Sequence, residues 1–147
     1  MNKLKIDFLD DKPAGGRQLI DLSLEEGGLS RVLFKGEVDY PEFIGWIIEN
    51  EREVKFSDLP IENREKYSIA KLIKFYYKNL DVDDDDLVDE MYNYRASHCL
   101  RFASRGTDIP EIFIGKSDRL HEISLFNEHE QWQFFFDADE FFNLCKK

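Results

Sequence analysis

The spacing of apolar residues changes period twice along this chain, and that limits the folds open to it. Apolar and polar residues alternate in stretches up to residue 38. They then recur at intervals of three and four to about residue 102, and alternate again from 111 to 136. A period of two turns one face of a strand inward, whereas a three-and-four spacing turns one stripe of a helix inward. Such a chain is built from strands, then helices, then strands.

The first alternation, Lys3-Leu4-Lys5-Ile6-Asp7-Phe8-Leu9, ends at a turn in which Pro13 fixes φ and Gly15-Gly16 allow positive φ. Ile20, Leu22 and Leu24 mark a second strand, closed by Gly27-Gly28, and Val32 and Phe34 a third, with Gly36 as a bend. Three short strands joined by glycine turns predict an antiparallel meander. Asp39 is placed to cap a helix whose first turn holds Pro41 and Glu42, with Trp46 and Ile47 facing inward. Val54-Lys55-Phe56 reads as a brief strand. Residues 62–80 form a predicted helix with Ile69, Leu72, Ile73, Tyr76 and Leu80 on one side and Lys66, Lys71, Lys74 and Lys78 mostly elsewhere. A further helix, from 87 to about 102, aligns Leu87, Met91, Tyr94, His98 and Phe102, so the two make a helical hairpin through residues 79–84. Strands are expected at 111–115, 120–126 and 131–136, with a turn at Lys116-Ser117-Asp118. Asp137 then caps a closing helix at 138–145, with Glu140 placed for a capping box. The expected fold is α+β: an N-terminal meander, a central helical hairpin, C-terminal strands and a terminal helix, with the helices packed on an antiparallel sheet. With 147 residues, 13 of them Phe, no internal repeat and no dividing linker, residues 1–147 read as a single globular domain.

Charge concentrates where the hairpin turns. Asp81, Asp83, Asp84, Asp85, Asp86, Asp89 and Glu90 fall within ten residues that contain no base, in a chain of net charge −11. Acids at a helix start oppose the positive end of its dipole, and lysines late in the preceding helix oppose the negative end of theirs. Asp83 or Asp84 is the expected cap, worth about 0.5–2 kcal/mol. One or two acids satisfy that role, and the remainder exceed it. A calcium loop of the EF-hand type counted from Asp81 needs glycine sixth and glutamate twelfth; Asp86 and Tyr92 stand there.

Other chemistry is weaker. His98, His121 and His129 lack the close spacing of a local metal motif, and His98 on an apolar helix face reads as a hydrogen-bonded core residue. Cys99 needs a base and an electropositive setting to act as a nucleophile; Arg95 and Arg101 offer only the second. Cys99 and Cys145 read as buried thiols of a reducing compartment. Neither glycine pair is followed by the Lys-Ser/Thr of a phosphate loop. Three successive phenylalanines, Phe134, Phe135 and Phe136, must point to both faces of a strand, so each face needs a cover. No catalytic residue, metal or cofactor is expected. Acidity disfavours nucleic acid and anionic membrane and favours a basic protein partner. Asp7, Asp10 and Asp11 break any apolar run near the start, so neither a secretory signal nor a spanning helix is expected, and the cytoplasm is the expected compartment.

Residues 95–126 carry a familiar combination: His98-Cys99-Leu100-Arg101 at a helix end, a loop with Gly106, then Ile109-Pro110-Glu111-Ile112-Phe113 and a strand containing Glu122-Ile123-Ser124. This resembles small bacterial proteins that include immunity proteins of polymorphic or contact-dependent toxin systems. The resemblance implies a small acidic cytoplasmic domain that neutralises a cognate toxin by binding it, and it transfers no active-site residue. The leading expectation is a non-enzymatic inhibitor of a basic, nuclease-like toxin, with Asp81, Asp83, Asp84, Asp85, Asp86, Asp89 and Glu90 on the interface. The alternatives are a DNA-mimic inhibitor of a host nucleic-acid-binding enzyme, with acids spread at regular intervals, and an enzyme whose site is assembled from distant residues.

Overall fold

Both stretches of alternation fold as strands and the middle of the chain as helices, an α+β arrangement. The computed structural model describes residues 2–9, 16–79 and 84–147. In order these form β1 (Lys3–Phe8), β2 (Arg17–Glu26), β3 (Leu29–Asp39), α1 (Tyr40–Glu49), α2 (Glu51–Phe56), α3 (Ile69–Lys78), α4 (Asp85–His98), a 3-10 turn (Leu100–Ala103), β4 (Phe113–Ser117), β5 (Leu120–Phe126), β6 (Gln131–Phe136) and α5 (Ala138–Cys145). The strands divide into two three-stranded antiparallel meanders, β1-β2-β3 and β4-β5-β6. Two hydrogen bonds through Asn2 join them: the Asp137 N–H donates to the Asn2 carbonyl (3.0 Å), and Asn2 Nδ2 donates to the Phe135 carbonyl (3.0 Å).

The second sheet is covered on both faces, which resolves the run of phenylalanines. Ile114, Ile123, Leu125 and Phe136 meet Ile20, Leu22 and Leu24 of the first sheet, together with Phe43 and Ile47 of α1 and Phe141 and Phe142 of α5. On the opposite face, Phe113 packs with Ile69, Ala70 and Ile73 of α3 and Met91 and Tyr94 of α4. Phe134 and Phe136 thus point to the first core and Phe135 to the other side. Gly115 lets α4 approach closely: a Cβ there would stand 2.8 Å from the Tyr94 hydroxyl and 3.1 Å from both His98 Cδ2 and Ile69 Cδ1. Both α3 and α4 feed this second core, and the Arg95 guanidinium lies 5.1 Å from the Tyr77 ring centre.

Local signals explain most helix starts. Asp39 accepts the Glu42 N–H (3.2 Å), and Asp137 accepts the Glu140 N–H (3.1 Å). The capping box of α5 forms by half. The Glu140 carboxylate turns to Lys3 (3.6 Å), and the Asp137 N–H is used between the sheets. In α1, Phe43 and Ile47 are buried, while Trp46 is half-buried and donates to the Ala96 carbonyl (3.1 Å).

Four expectations need correction. Residues 54–56 are the end of α2 and not a strand. Val54 continues the buried stripe seven residues after Ile47, and Lys55 reaches Glu51 one turn earlier (2.7 Å). The helix expected over 62–80 starts only at Ile69, since Ser68 caps it and Lys66 has a φ of 55° that no right-handed helix accommodates. Asn63 holds this irregular segment, accepting the Tyr67 N–H (2.9 Å) and donating to the Tyr67 carbonyl (2.6 Å). Helix α4 stops at His98 because Cys99 turns extended and bridges to Phe113, so Phe102 leaves the stripe for the 3-10 turn. Finally, β4 starts at Phe113 and runs through Ser117, so that Asp118 and Arg119 alone make the turn into β5. Leu80 lies outside the described residues.

Among the described residues, no helix is long and apolar enough to cross a membrane.

Candidate functional site

Helix α4 has one polar and one buried side, and the acids divide accordingly. Asp81 and Asp83 lie outside the described residues. Asp84 is the cap: its Oδ1 accepts the Leu87 N–H at 3.1 Å. Asp85 and Asp86 occupy the first turn, where the unpaired N–H groups favour negative charge. Asp85, Asp86, Asp89 and Glu90 are exposed, and none of them forms an ion pair or side-chain hydrogen bond among the described residues. At 3.6 residues per turn, Tyr92, Asp85, Asp89, Asn93, Asp86 and Glu90 share an arc of about 160°. Tyr92 is 55% exposed and meets Phe102 edge-on, with ring centres 6.3 Å apart. The face is therefore acidic with one aromatic held in place. Lys71 of α3 is turned to aromatic rings instead, 4.2 Å from the Tyr67 ring centre and 5.6 Å from that of Phe126. Beside this face a groove of about 370 Å³ runs past Glu90 and Asn93 to Glu53, Asp58 and Pro60.

The buried side of α4 is structural. His98 is 1% exposed and stacks on Tyr94 at 3.7 Å. Its Nε2 lies 3.0 Å from the Glu53 carbonyl, and its Nδ1 lies 2.9 Å from the Tyr94 carbonyl and 2.7 Å from Ser97 Oγ. A neutral ring satisfies this arrangement when Nε2–H donates to Glu53 and Nδ1 accepts from the Ser97 hydroxyl. Burial holds the ring's pKa below its ordinary value, against the contrary pull of the carbonyls. His121 reaches the Lys55 carbonyl in the same way (3.0 Å), so two imidazoles meet the last carbonyls of α2. The Cys99 thiol is pushed up to about 12 by burial, and Cys145 likewise, which leaves both protonated and unreactive near neutrality. Among the described residues, no group of three or more His, Cys, Asp or Glu side chains is arranged to hold a metal ion.

Two features escaped the sequence. Glu122 on β5 is fully buried; it accepts the Ile69 N–H (3.0 Å) and the Gln133 amide (3.0 Å). With Ser124 accepting from Ala70 (3.2 Å) and Ser68 from Lys71 (3.1 Å), three successive N–H groups at the start of α3 are satisfied, two of them by a neighbouring strand. The only trace in the sequence is that Glu122 and Ser124 alternate with apolar residues, which normally marks a solvated face. The second feature is a cavity of about 480 Å³ between residues 57–68 and the β4–β5 turn, with Asp58, Lys66, Tyr67, Lys116, Asp118 and Phe135 on its walls. Its residues are too far apart in sequence to announce one another.

No protein-family model, curated protein or solved structure matches the chain.

Proposed function

We propose that the protein is a stoichiometric protein inhibitor, an immunity protein that neutralises a basic, nuclease-like toxin by covering its nucleic-acid-binding surface. The supporting observation is the exposed face of α4, where Asp85, Asp86, Asp89 and Glu90 stand unpaired around Tyr92. Packing does not require these acids, because Asp84 alone caps the helix. Their charge is a concentrated part of the chain's net −11, which speeds encounter with a basic surface. Lysines and arginines that the toxin uses for phosphates then pair with the carboxylates, while Tyr92 supplies the aromatic contact area that interfaces favour. Clustering on one helix face favours this reading over duplex mimicry, which spaces its charges along an elongated surface.

The test is copurification of the chain with the product of the adjoining upstream gene, followed by association kinetics. Replacing Asp85, Asp86 and Asp89 with Asn and Glu90 with Gln leaves the fold intact. It slows association at low salt by about tenfold and flattens its salt dependence. Association unchanged at both low and high salt removes this face from the interface. A basic partner that is neither copurified nor inhibited refutes the function itself.

A further inference from the structure

The described chain has two non-glycine residues with left-handed backbone, Lys66 (φ 55°) and Asp118 (φ 54°), and both line the same 480 Å³ cavity. Such a conformation costs an ordinary residue about 1–3 kcal/mol and persists only where its surroundings impose it. For Lys66 the imposing contact is the Asn63 clamp on Tyr67. Asp118 is the first residue of the two-residue β4–β5 turn, where glycine is otherwise favoured. Both residues are exposed and bring opposite charges to one concave surface, and neither has an ion pair or side-chain hydrogen bond among the described residues. The other charged pair of the cavity is already neutral, Lys116 Nζ standing 2.7 Å from Asp58 Oδ1. Tyr67 and Phe135 add aromatic walls, with Leu59 and Ile61 beside them.

Charge decides the class of ligand. A phosphate or other polyanion meets Asp58 and Asp118, and a simple cation meets Lys66 and Lys116. A zwitterion answers both free charges at once, and the aromatic walls favour a flat apolar body. The volume falls within the range of ligand cavities. We propose that this cavity binds a free α-amino acid with an aromatic side chain, its ammonium on Asp118, its carboxylate on Lys66 and its ring against the apolar wall that includes Phe135. This site adjoins the groove beside α4 at Asp58 but uses none of the exposed acids of that helix, and it stands whether or not a basic partner exists.

Calorimetric titration of the full chain tests it with two probes, L-phenylalanine and N-acetyl-L-phenylalanine amide, which keeps the ring and lacks both charges. L-Phenylalanine binds saturably, with a Kd below about 1 mM, and the blocked amide does not. Lys66→Asn and Asp118→Asn, chosen because Asn tolerates left-handed backbone, each weaken binding by about tenfold or more. Absence of saturable binding by L-phenylalanine overturns the proposal. So does equal binding of the blocked amide, or wild-type affinity in both variants.

Discussion

The contact between Gly115 and Tyr94 makes a quantitative prediction. Replacing Gly115 with Ala places a methyl group 2.8 Å from the Tyr94 hydroxyl and 3.1 Å from His98 Cδ2 and Ile69 Cδ1. The tyrosine cannot easily swing away, since its ring is stacked on His98 at 3.7 Å and His98 is held by the Glu53 carbonyl and the Ser97 hydroxyl. Overpacking of this kind costs about 1–3 kcal/mol. Against it, alanine restricts the unfolded chain and returns about 0.4–1 kcal/mol, because the φ of Gly115 is one that alanine adopts. The net expectation is a loss of up to about 2.6 kcal/mol, or several degrees in Tm. Tyr94→Phe serves as the partner variant. The hydroxyl is buried and has no hydrogen-bond partner among the described residues, so its removal is neutral or stabilising by about 1 kcal/mol. In the double variant the closest clash is gone, and the cycle measured by urea unfolding shows a favourable coupling of about 1 kcal/mol. Additivity within about 0.5 kcal/mol refutes the proposed contact. A loss on Tyr94→Phe alone shows that the hydroxyl has a partner.

Three further outcomes are expected. Glu122→Ala strands the Ile69 N–H and the Gln133 amide and costs about 2–4 kcal/mol in urea unfolding, with faster amide exchange at Ile69 and Ala70; Glu122→Gln, which keeps an acceptor, loses less. His98 has a folded pKa below the unfolded 6.5, so the unfolded chain binds more protons between the two values. Its contribution is complete above about pH 6.5 and is lost as pH falls toward the folded value, and the wild type therefore loses more stability than His98→Gln between pH 7 and pH 5. Cys99 and Cys145, pushed up to about 12 by burial, resist iodoacetamide at pH 8 in the native protein and react on unfolding; rapid native labelling contradicts their burial.

Sequence and structure agree where a side chain acts on its own neighbourhood. Asp39, Asp84 and Asp137 cap the helices expected of them, and the alternation through Ile20, Leu22 and Leu24 does face a core. They part where a distant element intervenes. The helical pattern runs through residues 62–68, yet α3 starts at Ile69: Lys66 takes a left-handed φ, Ser68 caps, and Glu122 and Ser124 on β5 take the first two N–H groups, which no neighbouring residue announces. Val54 to Phe56 reads as a brief strand because three residues carry too little of any period; they are helical because Asn50 ends α1 and Val54 joins the stripe of Ile47. The acidic face was legible as composition, yet a run of aspartates does not say which member caps and which stand outward with Tyr92. The cavity was not legible, because its walls come from residues 57–68, the β4–β5 turn and β6, which nothing in the sequence links.

The Asn2 bridge has a consequence for how the chain is made. The Asn2 side chain and the Phe135 carbonyl are 133 positions apart. Closing a loop of that length costs about 2 kcal/mol more entropy than closing one of about ten residues. Helix α5, which brings Phe141 and Phe142 onto the apolar face of the N-terminal meander, is also the last of these elements to be synthesised. On the ribosome, part of the apolar face of Leu4, Ile20, Leu22 and Leu24 therefore waits for α5, after α1 and the second sheet have supplied the rest of its cover. A chain arrested before α5 leaves the part of that core filled by Phe141 and Phe142 open, and such an intermediate is prone to self-association and to early degradation.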